Sequence, residues 1–231
     1  MLAKALWDKE LRELFRTRFV IRLILAVLLV GGMVPAELPA SSPPGIWLLL
    51  FGLLVPIFLA TLVTPDLFAG ERERGTLPTL LAMPVSRWRL FGLKVLAGWG
   101  LTAGSFGISL LVFAALAVTV LPVSLPHPLQ MAPSILGLAA GSSGWAAALG
   151  TLVSWLSPDV RTAQSTMLVP FLILAVGVPY LAAHVLPPQV WLRWAGMPFA
   201  ALAGDLGLAL VVVWVATLAI ARAVLSRASP I

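Results

Sequence analysis

The sequence predicts an all-α integral membrane protein: six transmembrane helices, an amino-terminal amphipathic interfacial helix, and a short outer re-entrant helical segment. Three observations lead there. Of 231 residues, 60% are hydrophobic and only 10% charged, with a mean hydropathy of +1.03, far more apolar than a soluble domain. Six stretches are apolar and close to the ~20 residues that cross ~30 Å of hydrocarbon, namely residues 19–34, 46–63, 93–121, 132–155, 163–182 and 202–224. When the chain is threaded through them, fourteen of its fifteen Lys and Arg residues fall on one side. No stretch between the spans is long enough to hold a separate core, so residues 1–231 read as a single transmembrane domain.

The first element is residues 2–16. Ala3, Trp7, Leu11, Leu14 and Phe15 recur at helical spacing on one stripe, opposite Lys4, Asp8, Lys9, Arg12, Glu13 and Arg16. Such a helix lies in the membrane interface; a charged leader that only sets topology is the competing reading. The charged segment is too long for the n-region of a signal peptide, and no small-residue cleavage site follows the first apolar run, so the amino terminus is expected to be retained. The first span, 19–34, is short and borrows from its flanks.

Orientation follows from the positive charges. Lys4, Lys9, Arg12, Arg16, Arg18 and Arg22 flank the first span, Arg72, Arg74, Arg87, Arg89 and Lys94 lie between the second and third, Arg161 between the fourth and fifth, and Arg222 and Arg227 at the carboxyl end. Only Arg193 is on the other side. Both termini are therefore expected in the cytoplasm of a cell whose inner (plasma) membrane holds the chain. The outer loops are short and rich in proline. Residues 184–198, with Trp191, Trp194 and Arg193, suit a short interfacial or re-entrant helix. Asp205 reads either as the solvated start of the last span or as a carboxylate in a protein-lined cavity.

Composition also excludes. There is no cysteine, and His127 and His184 are the only histidines, so no metal site, cofactor or catalytic residue is assigned. The pI near 11.1 reflects residues that orient the chain in lipid, and no nucleic-acid partner is expected. A phosphate-cradling Gly-x-x-x-x-Gly-Lys-Ser/Thr run is missing as well.

The informative segment joins the second and third spans. Glu71, Arg72, Glu73 and Arg74 form a charged turn, and Gly75 breaks the chain. Thr76 is expected to cap a short helix over 77–83, in which Pro78 is tolerated because first-turn amides lack intrahelical partners. Pro84 ends it, and Ser86 caps the next helix, which carries Arg87 and Arg89 into the third span near Lys94. Leu77, Leu80 and Leu81 are expected to be displayed for a groove in a partner protein, since exposed leucines are costly without one.

This segment closely resembles a cytoplasmic loop of type-2 ABC transporter permeases: acidic-basic-acidic, Gly-Thr-Leu-Glu, Leu-Leu, Pro, Ser-Arg, then Gly-x-Lys. The matching residues here are Glu71, Arg72, Glu73, Gly75, Thr76, Leu77, Leu80, Leu81, Pro84, Ser86, Arg87, Gly92 and Lys94, and Pro78 replaces the usual glutamate. The stretch Ser157-Pro-Asp-Val-Arg-Thr-Ala-Gln164 is similar to that family's second cytoplasmic loop. The resemblance implies that residues 71–92 hold a coupling helix docking on a separate ATP-binding cassette ATPase, through Glu71, Arg72, Glu73, Gly75, Thr76, Leu77, Leu80, Leu81 and Arg87. It makes residues 2–16 a connecting helix, with Trp7, Leu11 and Phe15 at the same interface. It also implies export, and a second permease copy or a related permease as partner, because six spans are half the usual twelve. In size and in lacking an outer domain the chain further resembles the haem exporter B subunit of cytochrome c maturation, and equally small permeases for drugs, ions or peptides.

Two other classes compete. A secondary transporter or channel usually carries ionisable residues near the membrane midplane, and here Arg22 and Asp205 lie near span ends. An intramembrane enzyme needs a His-Glu-x-x-His run or a nucleophile elbow, and Gly141-Ser-Ser-Gly144 lacks that spacing. The patterns Gly100–Gly104 and Gly137–Gly141 allow close helix approach, most simply within one subunit.

Overall fold

The computed structural model describes residues 44–120, 128–177 and 199–227. The expected amphipathic helix 2–16 with Trp7, Leu11 and Phe15, the first span 19–34, the outer segment 184–198 and both histidines lie outside the described residues. Helix α1 (Pro44–Val63) passes through a 3₁₀ turn, Thr64–Asp66, into the short α2 (Ala69–Glu73). Then follow α3 (Leu77–Leu81), α4 (Arg87–Val120), α5 (Pro128–Leu156), α6 (Val160–Leu172) continued by a π-helical turn over Ile173–Gly177, and α7 (Phe199–Arg227).

This is an all-α, multi-pass membrane protein. Four stretches among the described residues are long and apolar enough to cross a membrane: Gly52–Glu73, Arg87–Leu111, Pro133–Leu156 and Ala203–Arg227. They correspond to the second, third, fourth and sixth expected spans. The fifth appears as a shorter apolar helix, Val160–Ala175. Pro170 lies inside it and removes a backbone donor, and the turn that follows widens to π geometry, an irregularity common where a helical ladder is interrupted.

Helix α5 is the axis of the bundle, packing on α1, α4, α6 and α7. Its middle is built from small residues, with Ser142, Ser143, Gly144, Ala146, Ala147, Ala148 and Gly150 all buried, which lets neighbouring backbones approach closely. A Cβ on Gly150 would fall 1.9 Å from Thr64 Oγ1, so only glycine fits where α5 passes the end of α1. Ser142 Oγ donates to the Gly52 and Ala139 carbonyls at 3.2 Å, and Trp99 Nε1 donates to Ser143 Oγ and the Ala140 carbonyl at 3.1 Å. The 141–144 stretch is therefore a helix-packing surface. The expectation for the glycine pairs holds only at Gly141, against Leu210. Side chains at Gly100, Gly104 and Gly137 would meet nothing within 4 Å among the described residues.

Candidate functional site

The segment between α1 and α4 is built onto the end of α5. Where α1 gives way to α2, the amides of the new helix lack intrahelical acceptors. One hydroxyl supplies them: Ser154 Oγ accepts from the Phe68 and Ala69 amides at 2.9 Å and donates to the Pro65 carbonyl at 2.7 Å. Phe68 then meets Trp155 edge-on, ring centroids 4.9 Å apart.

Helix α2 ends in a Schellman turn. The Gly75 amide donates to the Arg72 carbonyl at 3.1 Å and the Thr76 amide to the Glu71 carbonyl at 2.9 Å. Gly75 has φ +68°, the left-handed conformation this turn needs and glycine adopts without strain. The break expected at Gly75 is thus a defined reversal.

Inside this turn sits a buried ion pair. Glu71 and Lys94 side chains are each 1% exposed, with Nζ 3.7 Å from Oε1. Lys94 Nζ also lies 5.2 Å from the Phe68 ring centroid, a favourable cation–π placement. The Thr76 hydroxyl donates to the Glu71 carboxylate. Here the structure corrects the sequence reading: Thr76 does not cap α3 with its side chain, and its backbone is αR (φ −92°, ψ −13°) rather than extended as at a usual N-cap. A buried carboxylate is the stronger acceptor, and it takes the hydroxyl.

Arg72 and Glu73 reach the other way, to the corner between α5 and α6. The Arg72 guanidinium donates to the Trp155 carbonyl at 3.0 Å and to the Ser157 carbonyl, both at the C-terminal end of α5. Glu73 Oε1 accepts from the Val160 amide, the first of α6, at 2.8 Å. Each charge faces the helix end whose dipole it complements. Asp159 completes the corner as N-cap of α6, accepting from the Thr162 amide at 2.7 Å and the Thr162 hydroxyl at 2.9 Å. These bonds, the backbone one first, hold the Asp159 carboxyl below the usual carboxylate range. Arg74 pairs with Asp66 at 3.3 Å on the exposed side.

Helix α3 is shorter than expected, ending at Leu81 rather than at residue 83. Pro78 stands in its first turn, as anticipated. The leucines require a larger correction. Leu77 and Leu80 are buried, at 9% and 3% exposure, against Phe68, Leu90, Phe91, Leu152 and Leu225, while Leu81 is 38% exposed. The apolar face expected to meet a partner is turned mostly onto the chain's own bundle. The outward surface consists of Pro78, Thr79, Leu81 and Ala82. Ser86 does cap α4, its Oγ accepting from the Arg89 amide at 3.4 Å, and Arg87 stands at the first position of that helix.

Sequence reasoning missed Ser154, and saw Asp159 and Lys94 only as motif positions. The Ser-Pro-Asp run before α6 was a signal for Asp159, because aspartate there is a common helix start. Among the described residues no three His, Cys, Asp or Glu side chains converge as metal ligands. The arrangement is a short helix with an exposed outer face, packed through Leu77 and Leu80 into the core formed by the ends of longer helices.

Residues 46–190, more than half of the chain, match the family model described as ABC-2 family transporter protein. No curated protein matches the chain.

Proposed function

The chain belongs to the ABC-2 transporter family, and from that premise we propose that it is the membrane-spanning permease subunit of an ATP-binding cassette exporter. In this reading it has six spans, lies in the plasma membrane with both termini cytoplasmic, and works as a dimer with a second copy or a related permease. A separate ATPase drives it through residues 71–92. The observation that carries the reading is the rigid unit formed by that loop: Arg72 and Glu73 clamp the α5–α6 corner, and the Glu71–Lys94 pair ties the turn to α4.

The mechanism follows from this connectivity. ATP binding closes two ATPase subunits, and each displaces the outward face of α3, Pro78, Thr79, Leu81 and Ala82. Because Leu77 and Leu80 key α3 into the bundle, that displacement moves α4 and the α5–α6 corner together. The permease halves switch between two arrangements favoured by different nucleotide states of the ATPase. The residues of the 71–76 turn hold the lever in place.

The burial pattern selects the test. Leu80→Asp buries a charge and is expected to cost several kcal/mol of stability, so it cannot report on docking. Leu81→Asp alters the exposed face and leaves the fold intact. The permease is isolated from native membranes by mild detergent extraction, and a co-purifying Walker-motif ATPase is identified by mass spectrometry and assayed for ATP hydrolysis. Loss of that ATPase from folded Leu81→Asp supports the reading. Full retention with unchanged permease-dependent ATP hydrolysis would refute this role for α3.

A further inference from the structure

The geometry points to a binding site for an anionic phospholipid headgroup between α4 and α7, at the end of the bundle that carries the basic residues. A cavity of about 340 Å³ there is lined by Arg87, Trp88, Arg222, Leu225 and Ser226, within the size range of small-ligand sites. It is separate from the outward face of α3, and it holds whichever protein docks on that face.

Position comes first. Arg87 begins one membrane-length stretch, Arg87–Leu111, and Arg222 lies near the end of another, Ala203–Arg227. The cavity therefore opens at the level where hydrocarbon meets headgroups. Trp88 is 41% exposed and stacks on Phe91 at 5.7 Å; an amphipathic ring at this depth is characteristic of the membrane interface.

Chemistry follows. Arg87 and Arg222, from different helices, line the cavity together with Ser226, and among the described residues no carboxylate lines it. Planar guanidinium forks match the paired oxygens of a phosphate diester, and basic pockets between spanning helices recur as headgroup sites. Leu225, 6% exposed, gives the cavity an apolar wall. Helix α7 continues from it into the membrane with Val215, Val211 and Leu208 exposed on the face that carries Arg222, a path for acyl chains that a free inorganic anion would not use. Hence the lipid, rather than phosphate alone, is the occupant assigned.

The test uses the purified full-length chain in phosphatidylcholine vesicles, with phosphatidylglycerol added stepwise and the thermal midpoint followed by tryptophan fluorescence. Native mass spectrometry counts retained phosphatidylglycerol. A saturable upward shift is expected for the wild type, with roughly fivefold weaker apparent affinity in Arg222→Gln, the loss of one basic contact at a lipid surface. Arg227→Gln, which removes the same charge from the same end outside the cavity, should titrate as the wild type does. Ser226→Ala provides a second, milder probe if Arg222→Gln does not fold. Equal weakening in Arg222→Gln and Arg227→Gln would reduce the effect to diffuse charge and overturn the site. So would an equal response of the wild type to inorganic phosphate in the absence of phosphatidylglycerol, which would assign the cavity to the free anion.

Discussion

Lys94→Met tests whether the Glu71–Lys94 pair is the energetic centre of the loop. At 3.7 Å separation and an effective dielectric of ~20, the attraction is about 4 kcal/mol. Removing one partner of a buried pair costs about 3–5 kcal/mol, because the remaining charge is left uncompensated, whereas replacing both by neutral groups is close to neutral. Lys94→Met should therefore destabilise the protein by about 3–5 kcal/mol, and Glu71→Gln by a similar amount. The double variant should recover most of that loss, apart from a residue of about 1 kcal/mol for the weakened bond from Thr76. The assay is reversible unfolding in mixed micelles of mild detergent and sodium dodecyl sulfate, with the nine tryptophans as reporters and all four corners of the cycle measured. Additive single-variant costs, with a coupling energy below ~0.5 kcal/mol, would mean that the two charges do not stabilise each other and that the loop is held by packing alone.

Other perturbations separate the remaining joints. Ser154→Ala leaves the Phe68 and Ala69 amides and the Pro65 carbonyl without their partner, and should cost about 2–4 kcal/mol in the same unfolding assay, well beyond an ordinary lost hydrogen bond. Gly150→Ala sets a Cβ 1.9 Å from Thr64 Oγ1 and 2.6 Å from Thr64 Cβ and should destabilise by about 1–3 kcal/mol; Thr64→Ala in the same chain should relieve only part of it, because the Cβ at position 64 remains, whereas Thr64→Gly removes both atoms. For Asp159, the lowered pKa means its contribution is present above the unfolded-state value of 3.8 and lost as pH falls through the lower folded value. Asp159→Asn should thus melt below the wild type at neutral pH, with the gap closing only in that acidic range, as followed by thermal melts across pH.

The four membrane-length helices were legible because the signal for a span, an apolar run of sufficient length, needs no knowledge of neighbours. The reversal at Gly75 and the cap at Ser86 were legible for the same reason, since each is a local matter of backbone conformation. The side of α3 that faces the bundle was not. A short helix with Leu77, Leu80 and Leu81 has one apolar face, and its sequence is equally consistent with a partner or its own bundle as the surface covering that face. Tertiary packing decided, burying Leu77 and Leu80 in the same core cluster as Phe91 and Leu152. The pairing of Glu71 with Lys94 and the bond that the Phe68 amide donates to Ser154 join residues far apart in sequence. Nothing in the local pattern distinguishes Ser154 from the other serines of α5, and Thr76 was read as a cap because its competing acceptor, Glu71, lies across the turn.

The burial of Leu77 and Leu80 changes what kind of device the loop is. A helix held only by a partner would be a tether, and motion of the partner would be absorbed by the linkers on either side. Here the loop resists. Arg72 donates charge-assisted bonds to the Trp155 carbonyl of α5 and to the Ser157 carbonyl just beyond it, Glu73 accepts one from the first amide of α6, and such bonds contribute about 1.5–3 kcal/mol each. Together with the Glu71–Lys94 pair they outweigh the cost of bending a helix that already lacks a donor. That weaker place is in α6, where Pro170 and the π turn Ile173–Gly177 interrupt the ladder. In the proposed lever, a push on α3 would be expressed as tilt of α4 with the α5–α6 corner and released at Ile173–Gly177, which begins roughly three and a half turns along α6 from the Glu73 contact at Val160.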